Sequence, residues 1–450
     1  MTFTYAQIAC HRFGLGAKPS ELDQVLKQGA KSFLLKQLDA YDAKPKLLID
    51  LPSAISLIKR NDTMRVKNKK ISNKADKQKA RKAERRFSTN IYKAGVIARH
   101  KHASITEQSF NERLVYFWQN HFAISANKPN VRTLAASFEN EAIRPYIMGN
   151  FSQMLLAVTK HPAMQLFLDN YKSVGPNSRL GKRRKKGLNE NLAREILELH
   201  TLGVDNGYTQ KDIIAFANML TGWSVSPKSK TGFRFNKATH EPKPASFIGK
   251  TYKQRGVKQA SEAIKFLARH KNTAQYIAKK LAQHFAGDGN IKLTKSLEND
   301  LEASFIKTGG DLKLLYKILI HHPACWQKNI VRFRTPNEWL VATSRAAQIN
   351  SIKDKALIVG LKNMGQQPYY PGSPAGWPNH DKHWMSPSAF VQRWQVAKQL
   401  ARLIKTKPLK FAQICFGEHI DEHSVLAMQK APNNKTAISL FLLSEQMQFR

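Results

Sequence analysis

The sequence predicts a mainly α-helical protein, a large helical assembly with long functional loops and at most a small β-hairpin. Helix-start signals recur along the chain, whereas regular strand alternation is scarce. Residues 189–204 form a nearly all-apolar helix that also carries Arg194, Glu195, Glu198 and His200. A hydrophobic content of 42% over 450 residues is typical of a folded protein and argues against global disorder.

Local signals place the individual elements. Residues 20–23 open an amphipathic run, and the apolar residues that largely share one of its faces are Leu22, Val25, Leu26, Phe33, Leu34 and Leu38. Thr209 opens a helix that ends near Gly222, and residues 335–338 give the clearest start, with a Thr cap, Pro at the first helical position and Glu at the third. Further helix caps are predicted at Asn272 and Asp311. The only segments that could form a short hairpin are 224–235 and 245–252.

Long connections are expected to carry function on a helical frame. The predicted long loops are 59–86, 173–188, 224–250 and 364–386. The chain is predicted to be a single helical domain over residues 1–450, or two lobes, 1–172 and 189–450, joined by the basic loop 173–188. Residues 59–86 are predicted to be a basic, mobile insertion.

The chain is strongly basic, with 73 Lys and Arg against 32 Asp and Glu and a formal net charge of +41. Residues 59–86 hold 13 basic and three acidic residues, and residues 182–186 form a second basic run. Such charge attracts polyanions. Residues 59–86 contain no aromatic side chain, so we expect attraction to an anionic polymer without specific nucleic-acid recognition.

Several classes of protein are not indicated by the sequence. No apolar run reaches the roughly 18 residues that a membrane-spanning helix needs. The first residues lack a basic start and a long apolar stretch, so we expect no signal peptide and a cytoplasmic location. Three widely separated cysteines, Cys10, Cys325 and Cys415, suggest buried thiols and no disulfide framework or zinc site.

The polar residues of the helix over 189–203 support two interpretations. At 100° per residue, Glu195 and Glu198 share one face and His200 points about 140° to 160° away from them. The two carboxylates could form an acid–base site in which Arg194 lowers one pKa and burial raises the other. Alternatively, Arg194 braces the helix through ion pairs with Glu190 and Glu198 at i,i+4 spacing, which we favour because structural ion pairs produce the same pattern.

A second helix, predicted over 107–123, repeats this combination of polar groups on an apolar helix. His121 lies on an apolar stripe, while Glu112 lies on another face. A histidine in such a position is usually a hydrogen-bonded core residue, although it can also serve as a ligand or base. The same choice applies to His200.

Two loops carry further candidates. His240 and Glu241 follow an aromatic pair and could be metal ligands, an acid–base pair or a loop clasp. Residues 364–393 combine Trp377 and Trp384 with tyrosines and prolines, which suits a ligand-stacking wall, a lid or a loop docked by its rings. Within it, residues 380–383 contain two histidines and an aspartate, which are more often solvated than metal-binding.

The chain resembles the bacterial domain-of-unknown-function family 1800 along nearly its whole length. The matching pieces stand in the expected order, and they are 11–16, 112–122, 161–169, 189–203, 221–223, 308–312, 334–338, 364–366, 376–378, Trp384 and Arg393. The chain departs from the family in having Glu241 where Asp is usual, and 380–383 where Gly-rich sequence is usual. The resemblance implies a mostly helical fold and a protein partner from a co-encoded, often exported, uncharacterised family. It supplies no accepted catalytic residues, and it leaves cofactors and any metal unknown.

Two functional hypotheses follow. In the first, the chain is an enzyme that uses a buried Glu/His/Arg cleft for acid–base or metal-assisted chemistry on a polar or anionic substrate. The candidate catalytic residues are Glu195, Glu198, His200, Arg194, His121 and Glu112. The candidate ligand-binding residues are His240, Glu241, Trp223, Trp377, Trp384 and Arg393. Alternatively, it is a non-catalytic module that engages a partner protein or an anionic polymer through its basic surface and aromatic loop, with export alongside that partner as the alternative location. For an enzyme, the histidines and the Glu195–Glu198 face should converge within about 8 Å on an open cavity.

Overall fold

The computed structural model describes residues 3–184, 187–287, 289–329, 332–349, 352 and 354–450. Over these residues the chain is mainly helical, with two small antiparallel sheets, which confirms the predicted fold class. None of the helices in these ranges is both long enough and apolar enough to cross a bilayer. Cys10, Cys325 and Cys415 are free and buried, as predicted.

The helices of the first part of the chain begin near the amino terminus and continue to the second basic run. They are α1 (Tyr5–Ile8), α2 (Glu21–Gln28), α3 (Ala30–Asp39), α4 (Lys46–Ile49), α5 (Ala54–Lys69), α6 (Lys74–Ile105), α7 (Ser109–His121), α8 (Pro129–Arg132), α9 (Ala135–Phe138), α10 (Phe151–Lys160), α11 (Pro162–Phe167) and α12 (Arg179–Arg184). Short 3₁₀ turns follow at Arg144–Tyr146 and Asn170–Lys172.

The second part of the chain holds the two sheets and the remaining helices. The helices are α13 (Asn191–Glu195), α14 (Gln210–Leu220), α15 (Val257–Ala268), α16 (Lys271–Ala286), α17 (Ile291–Thr308), α18 (Leu312–His321), α19 (Pro336–Ala346), α20 (Asp354–Asn363), α21 (Pro387–Ala401), α22 (Pro408–Phe416), α23 (Glu422–Gln429), α24 (Asn434–Leu443) and α25 (Glu445–Gln448). Further 3₁₀ turns lie at Pro323–Trp326 and Asp381–His383.

Both predicted strand segments fold back on themselves, so the part of the chain that the structure describes has two small hairpins. Strand β1 (Trp223–Val225) pairs with β2 (Phe233–Phe235), with Trp223 opposite Phe235. Strand β3 (Ala245–Phe247) pairs with β4 (Lys250–Tyr252). Each pair is only three residues long, which explains why the alternation in the sequence is faint.

Most of the predicted helix starts are confirmed. Thr209 and Thr335 each form a capping box, and Asp311 caps α18 by accepting from the Leu314 amide. The cap predicted at Asn272 is wrong, because His270 caps α16 and accepts a hydrogen bond from the Asn272 amide. The amphipathic run after Ser20 is divided at Gly29 into α2 and α3, and Leu26 is 70% exposed instead of sharing the buried face.

The prediction of an irregular loop over 59–86 is wrong, because residues 59–69 belong to α5 and residues 74–86 to α6. The segment contains no Pro or Gly, and Lys, Arg, Glu and Ala are good helix formers. Asn73 caps α6 by accepting from the Ala75 amide at 2.8 Å. Of the other predicted loops, 173–188 contains α12, with residues 185–186 outside the described residues, whereas 364–386 is irregular except for one 3₁₀ turn.

Among the described residues, three π-helical turns interrupt the α-helical geometry, at Ala9–Phe13, Glu139–Ile143 and Ile196–His200. Each of these turns supplies a buried polar side chain, namely His11, Glu139 and His200. Such turns are rare in proteins overall, and those that occur are often found at functional sites. The surrounding apolar residues form one large hydrophobic cluster that draws on both the 1–172 and the 189–450 segments, as in the contact between Phe151 and Phe305.

Candidate functional site

A cleft of about 90 Å³ opens where α6, α7, α16, the start of α19 and the loop after α20 meet. Its volume is enough for several water molecules or a small ligand. Five basic side chains line it, and they are Arg99, Arg113, Lys280, Arg332 and Arg450. The cleft is therefore a cationic site assembled from segments far apart in the sequence.

Four of these cations are paired with carboxylates, and three of them, Arg113, Arg332 and Arg450, lie in one wall. Glu338 receives a hydrogen bond from Arg113 and lies 3.1 Å from Nε of Arg450. Burial alone would raise the pKa of Glu338, but Arg450 and Arg113 hold it well below its usual range. Nε of Arg332 lies 3.0 Å from Oδ1 of Asp381. These pairs join α7, α19, the chain end and the loop after α20 into one wall.

Lys280 differs from these arginines, because no carboxylate among the described residues lies within ion-pair distance of its ammonium group. It is partly accessible at the cleft, and the ammonium nitrogen lies 5.2 Å from the centre of the Tyr276 ring. Burial lowers the pKa of Lys280 to about 8. Lys280 is thus a cation with unused hydrogen-bonding capacity and a proton that is held weakly.

Arg99 is the second cation with free donors. Its Nε donates to Oε2 of Glu139 at 2.8 Å, and its guanidinium lies 3.7 Å from the centre of the Tyr116 ring. The described residues offer no hydrogen-bond acceptor to its two terminal nitrogens. Arg99 and Lys280 therefore leave donors available on the cleft wall.

Two buried histidines lie next to Lys280. The ring centres of His121 and His200 are 6.2 Å apart, and Nε2 of His121 donates to the backbone carbonyl of His200 at 3.2 Å. Burial, and then Lys280, lower the pKa of both imidazoles, that of His200 to about 3. Both rings are neutral at physiological pH. Nδ1 of each ring has no hydrogen-bond partner among the described residues.

The turn that carries His200 is shaped by its own sequence. The π-helical turn at Ile196–His200 ends with the Thr201 hydroxyl donating to the Ile196 carbonyl at 2.6 Å. Gly203 then adopts φ of +95°, and a Cβ there would lie 3.3 Å from the Tyr276 ring. The helical wheel at 100° per residue therefore does not apply beyond Glu195, and Gly203 allows this turn to approach α16 closely.

Arg194, Glu195 and Glu198 do not line the cleft. Arg194 pairs with Glu190 and with Glu198, both at 3.3 Å, and its side chain is 39% exposed. Burial, and then Glu198, raise the pKa of Glu195. The ion pairs at i,i+4 spacing are present as predicted, but they lie at the surface and not in a buried site.

Glu112 is buried behind the cleft in a network of ion pairs. Its two oxygens accept from Arg144 at 2.7 and 2.6 Å, and Arg144 also contacts Glu139 at 3.0 Å. Burial opposes ionisation, but Arg144 holds the pKa of Glu112 well below its usual range. Because Glu139 also binds Arg99, this network fixes the position of Arg99 at the cleft.

His240 and Glu241 make the contacts of a loop clasp. Nδ1 of His240 donates to the Thr221 carbonyl at 2.9 Å. Glu241 accepts from the backbone amide and the side-chain amide of Asn177 at 2.9 and 3.0 Å. These residues tie the hairpin loop to the segment before α12, away from the cleft.

The aromatic candidates divide between the cleft and the interior. Trp377 lines the cleft, and its backbone amide donates to Oδ1 of Asn120 at 2.7 Å. Trp384 is 2% exposed and lies behind Trp377, with ring centres 6.1 Å apart. Trp223 is fully buried beside β2.

Arg393 is also fully buried and supports the cleft from behind. It donates to Oε1 of Gln448 at 2.6 Å and to the Arg334 carbonyl at 2.5 Å. Its guanidinium lies 4.4 Å from the centre of the Phe333 ring, and that ring lines the cleft. Burial lowers the pKa of Arg393 to about 9.

Of the predicted site residues, the structure places His121 and Trp377 on the cleft and His200 directly behind His121. Lys280 and Arg99 were not among the sequence candidates. The signal for Lys280 is weak, because it is the second of two adjacent lysines between Ile277 and Leu281 on a helix with a long apolar face. Within the described ranges, no three His, Cys, Asp or Glu side chains are grouped so as to hold a metal ion.

Comparison with known proteins gives one match. The family model described as a protein of unknown function (DUF1800) matches residues 8–449. The searches of curated proteins and of solved structures gave no match to the chain.

Proposed function

The chain belongs to the DUF1800 family of proteins of unknown function, and from its own cleft we propose that it binds a small anionic molecule and performs acid–base chemistry on it. The observation that carries this proposal is Lys280, a cation on the cleft wall without a carboxylate partner among the described residues. A partly buried ammonium group without a counter-ion is costly, and a bound anion would supply the missing charge.

The charge balance of the cleft supports an anion. Its five basic residues face three carboxylates, Glu139, Glu338 and Asp381, each already engaged by an arginine. His121 and His284 also line the cleft, and burial lowers the pKa of both imidazoles. The site therefore keeps an excess of positive charge, and among its basic side chains Arg99, Lys280 and Nη2 of Arg450 keep donors without a partner in the described residues.

The opposite wall suits a small polar ligand. Nδ2 of Asn120 donates to the Trp377 carbonyl at 3.0 Å, so the aromatic loop is fixed to the end of α7. Gly376 has φ of +83°, and a Cβ there would clash with the Asn120 carbonyl. A rigid aromatic wall beside convergent polar groups is a common form of small-molecule site.

The acid–base part of the proposal rests on Lys280. With a pKa of about 8, the ammonium group is charged at neutral pH and can exchange its proton with a bound substrate. In this role Lys280 first attracts the anion as an ammonium group and then donates a proton to it, which leaves a neutral amine that regains its proton from solvent. His121, held by the His200 carbonyl, forms the neutral floor beside it.

The test compares binding of inorganic phosphate and malonate to the unmodified protein and to Lys280→Met by isothermal titration calorimetry. We expect Lys280→Met to weaken binding at least about tenfold, since a hydrogen bond to a charged group contributes about 1.5–3 kcal/mol. Lys279→Met is the matched control, because Lys279 is the exposed neighbour on the same helix. Equal affinity of Lys280→Met and the unmodified protein, or no binding of either anion, would refute the proposal.

A further inference from the structure

A second cationic feature lies on the helical hairpin of α5 and α6. Three of the 13 basic residues of 59–86 are ion-paired, and the pairs are Arg60 with Glu84, Arg65 with Asp62 and Lys79 with Asp76. The other ten have no carboxylate partner among the described residues. Twelve of the 13 are exposed, and Arg60 is the exception.

Three of the unpaired cations, Lys69, Lys77 and Arg81, line a groove between the two helices together with the paired Arg65. This groove has a volume of about 330 Å³ and is lined by Arg65, Asn68, Lys69, Lys77, Ala80 and Arg81. Four of its six lining residues are basic and none is acidic. On each helix the two cations are four residues apart, so each pair is separated by about 6 Å along the helix axis.

This arrangement is unfavourable without a partner. Like charges at i,i+4 spacing destabilise a helix, and both walls of the groove carry such a pair. The hairpin is held at its base, where the Arg60 guanidinium pairs with Glu84 and lies 3.6 Å from the centre of the Phe87 ring. Beyond that base, little apolar contact offsets the repulsion, and Val66 is 46% exposed.

The chemistry of the hairpin selects among polyanions. Single-stranded nucleic acids are bound by aromatic side chains on which bases stack, and residues 59–86 contain none. A membrane surface is bound by a helix with one cationic and one apolar face, whereas here cations surround both helices. We propose that the α5–α6 hairpin binds a flexible, linear polyanion through its charged backbone alone, with inorganic polyphosphate as the simplest example.

The experiment measures binding of fluorescently labelled polyphosphate by anisotropy over a series of salt concentrations. The test variant combines Lys69→Gln, Lys77→Gln and Arg81→Gln, which keep good helix formers in place. We expect weaker binding, and a plot of log K against log salt that is less steep by about 2, since each lost contact removes about 0.7 from the slope. Circular dichroism of the variant checks that the helices persist.

The matched control combines Lys405→Gln, Lys407→Gln and Lys410→Gln, which remove the same charge from another exposed cluster. Its affinity and salt slope should stay close to those of the unmodified protein. Equal losses in both variants would overturn the proposal, because net charge and not the hairpin would then control binding. Tighter binding of single-stranded DNA or of phosphatidylserine vesicles than of polyphosphate, at equal charge concentration, would also overturn it. The hairpin variant should bind inorganic phosphate in the cleft as the unmodified protein does, because none of its three substituted residues lines the cleft. Failure of this proposal and failure of the proposal for the cleft can therefore be distinguished.

Discussion

Replacing Glu338 by Gln removes the one carboxylate that two buried guanidiniums share. Oε1 of Glu338 accepts from Arg113 and lies 3.1 Å from Nε of Arg450, and all three side chains are at most 10% exposed. The Glu338→Gln variant keeps the helix cap, because an amide oxygen can still accept from the Thr335 amide, now at 2.8 Å. The substitution therefore changes charge with little change in shape.

Removing one partner of a buried ion pair costs about 3–5 kcal/mol, because the other charge is left uncompensated. Here two cations lose their partner, so we expect a loss near the upper end, about 4–5 kcal/mol in the free energy of unfolding at pH 7. The assay is urea unfolding followed by tryptophan fluorescence. Glu418→Gln, at an exposed position, is the control and should change the free energy of unfolding by less than about 0.5 kcal/mol.

The same variant has a defined pH dependence. The pKa of Glu338 is held below its usual range, so its stabilisation is present above the unfolded-state pKa of about 4.3 and is lost as pH falls through the folded-state pKa. The difference in stability between the unmodified protein and Glu338→Gln should therefore shrink below about pH 4. A loss at pH 7 no larger than that of Glu418→Gln would refute the assignment of Glu338 as the shared counter-ion.

Two further predictions follow from the cleft. Phosphate affinity should fall as pH rises through about 8, where Lys280 loses its charge, and calorimetry between pH 6.5 and 9.5 should show this fall in the unmodified protein and not in Lys280→Met. Gly203→Ala should destabilise the protein by about 1–3 kcal/mol, because the residue has φ of +95° and a Cβ would press on Tyr276. Gly187→Ala, where a Cβ meets nothing within 4 Å, is its control in thermal unfolding, and equal midpoints for the two variants would contradict the strain argument.

Predictions from short-range sequence signals are confirmed where the physical cause is also short-range. The capping box at Thr335 involves residues three positions apart, and the i,i+4 pairs of Arg194 span one helical turn. The helix cap predicted at Asn272 lies two residues after the actual cap, because the His270 side chain can also accept the capping hydrogen bond. The basic run 59–86 was read as a loop from its charge alone, although its residues favour a helix.

The candidate site was predicted only in part. His121 and Trp377 lie on the cleft, but Glu195, the Arg194–Glu198 ion pair and the clasp of His240 and Glu241 do not. A periodic pattern shows which residues share a face of one helix, but it does not show which other helix packs against that face. The π-helical turn before His200 also changes the direction of that side chain, and it depends on packing against α16.

The sequence alone determined the helical fold class, the main helix starts, the buried thiols and the excess of positive charge, because each depends on composition or on contacts between near neighbours. Only the tertiary structure decided which charges are neutralised and which are not. Arg113 finds Glu338 across 225 positions of sequence, whereas Lys280 finds no carboxylate among the described residues. That distinction is set by how distant helices pack, and it locates the cleft on which the proposed function rests.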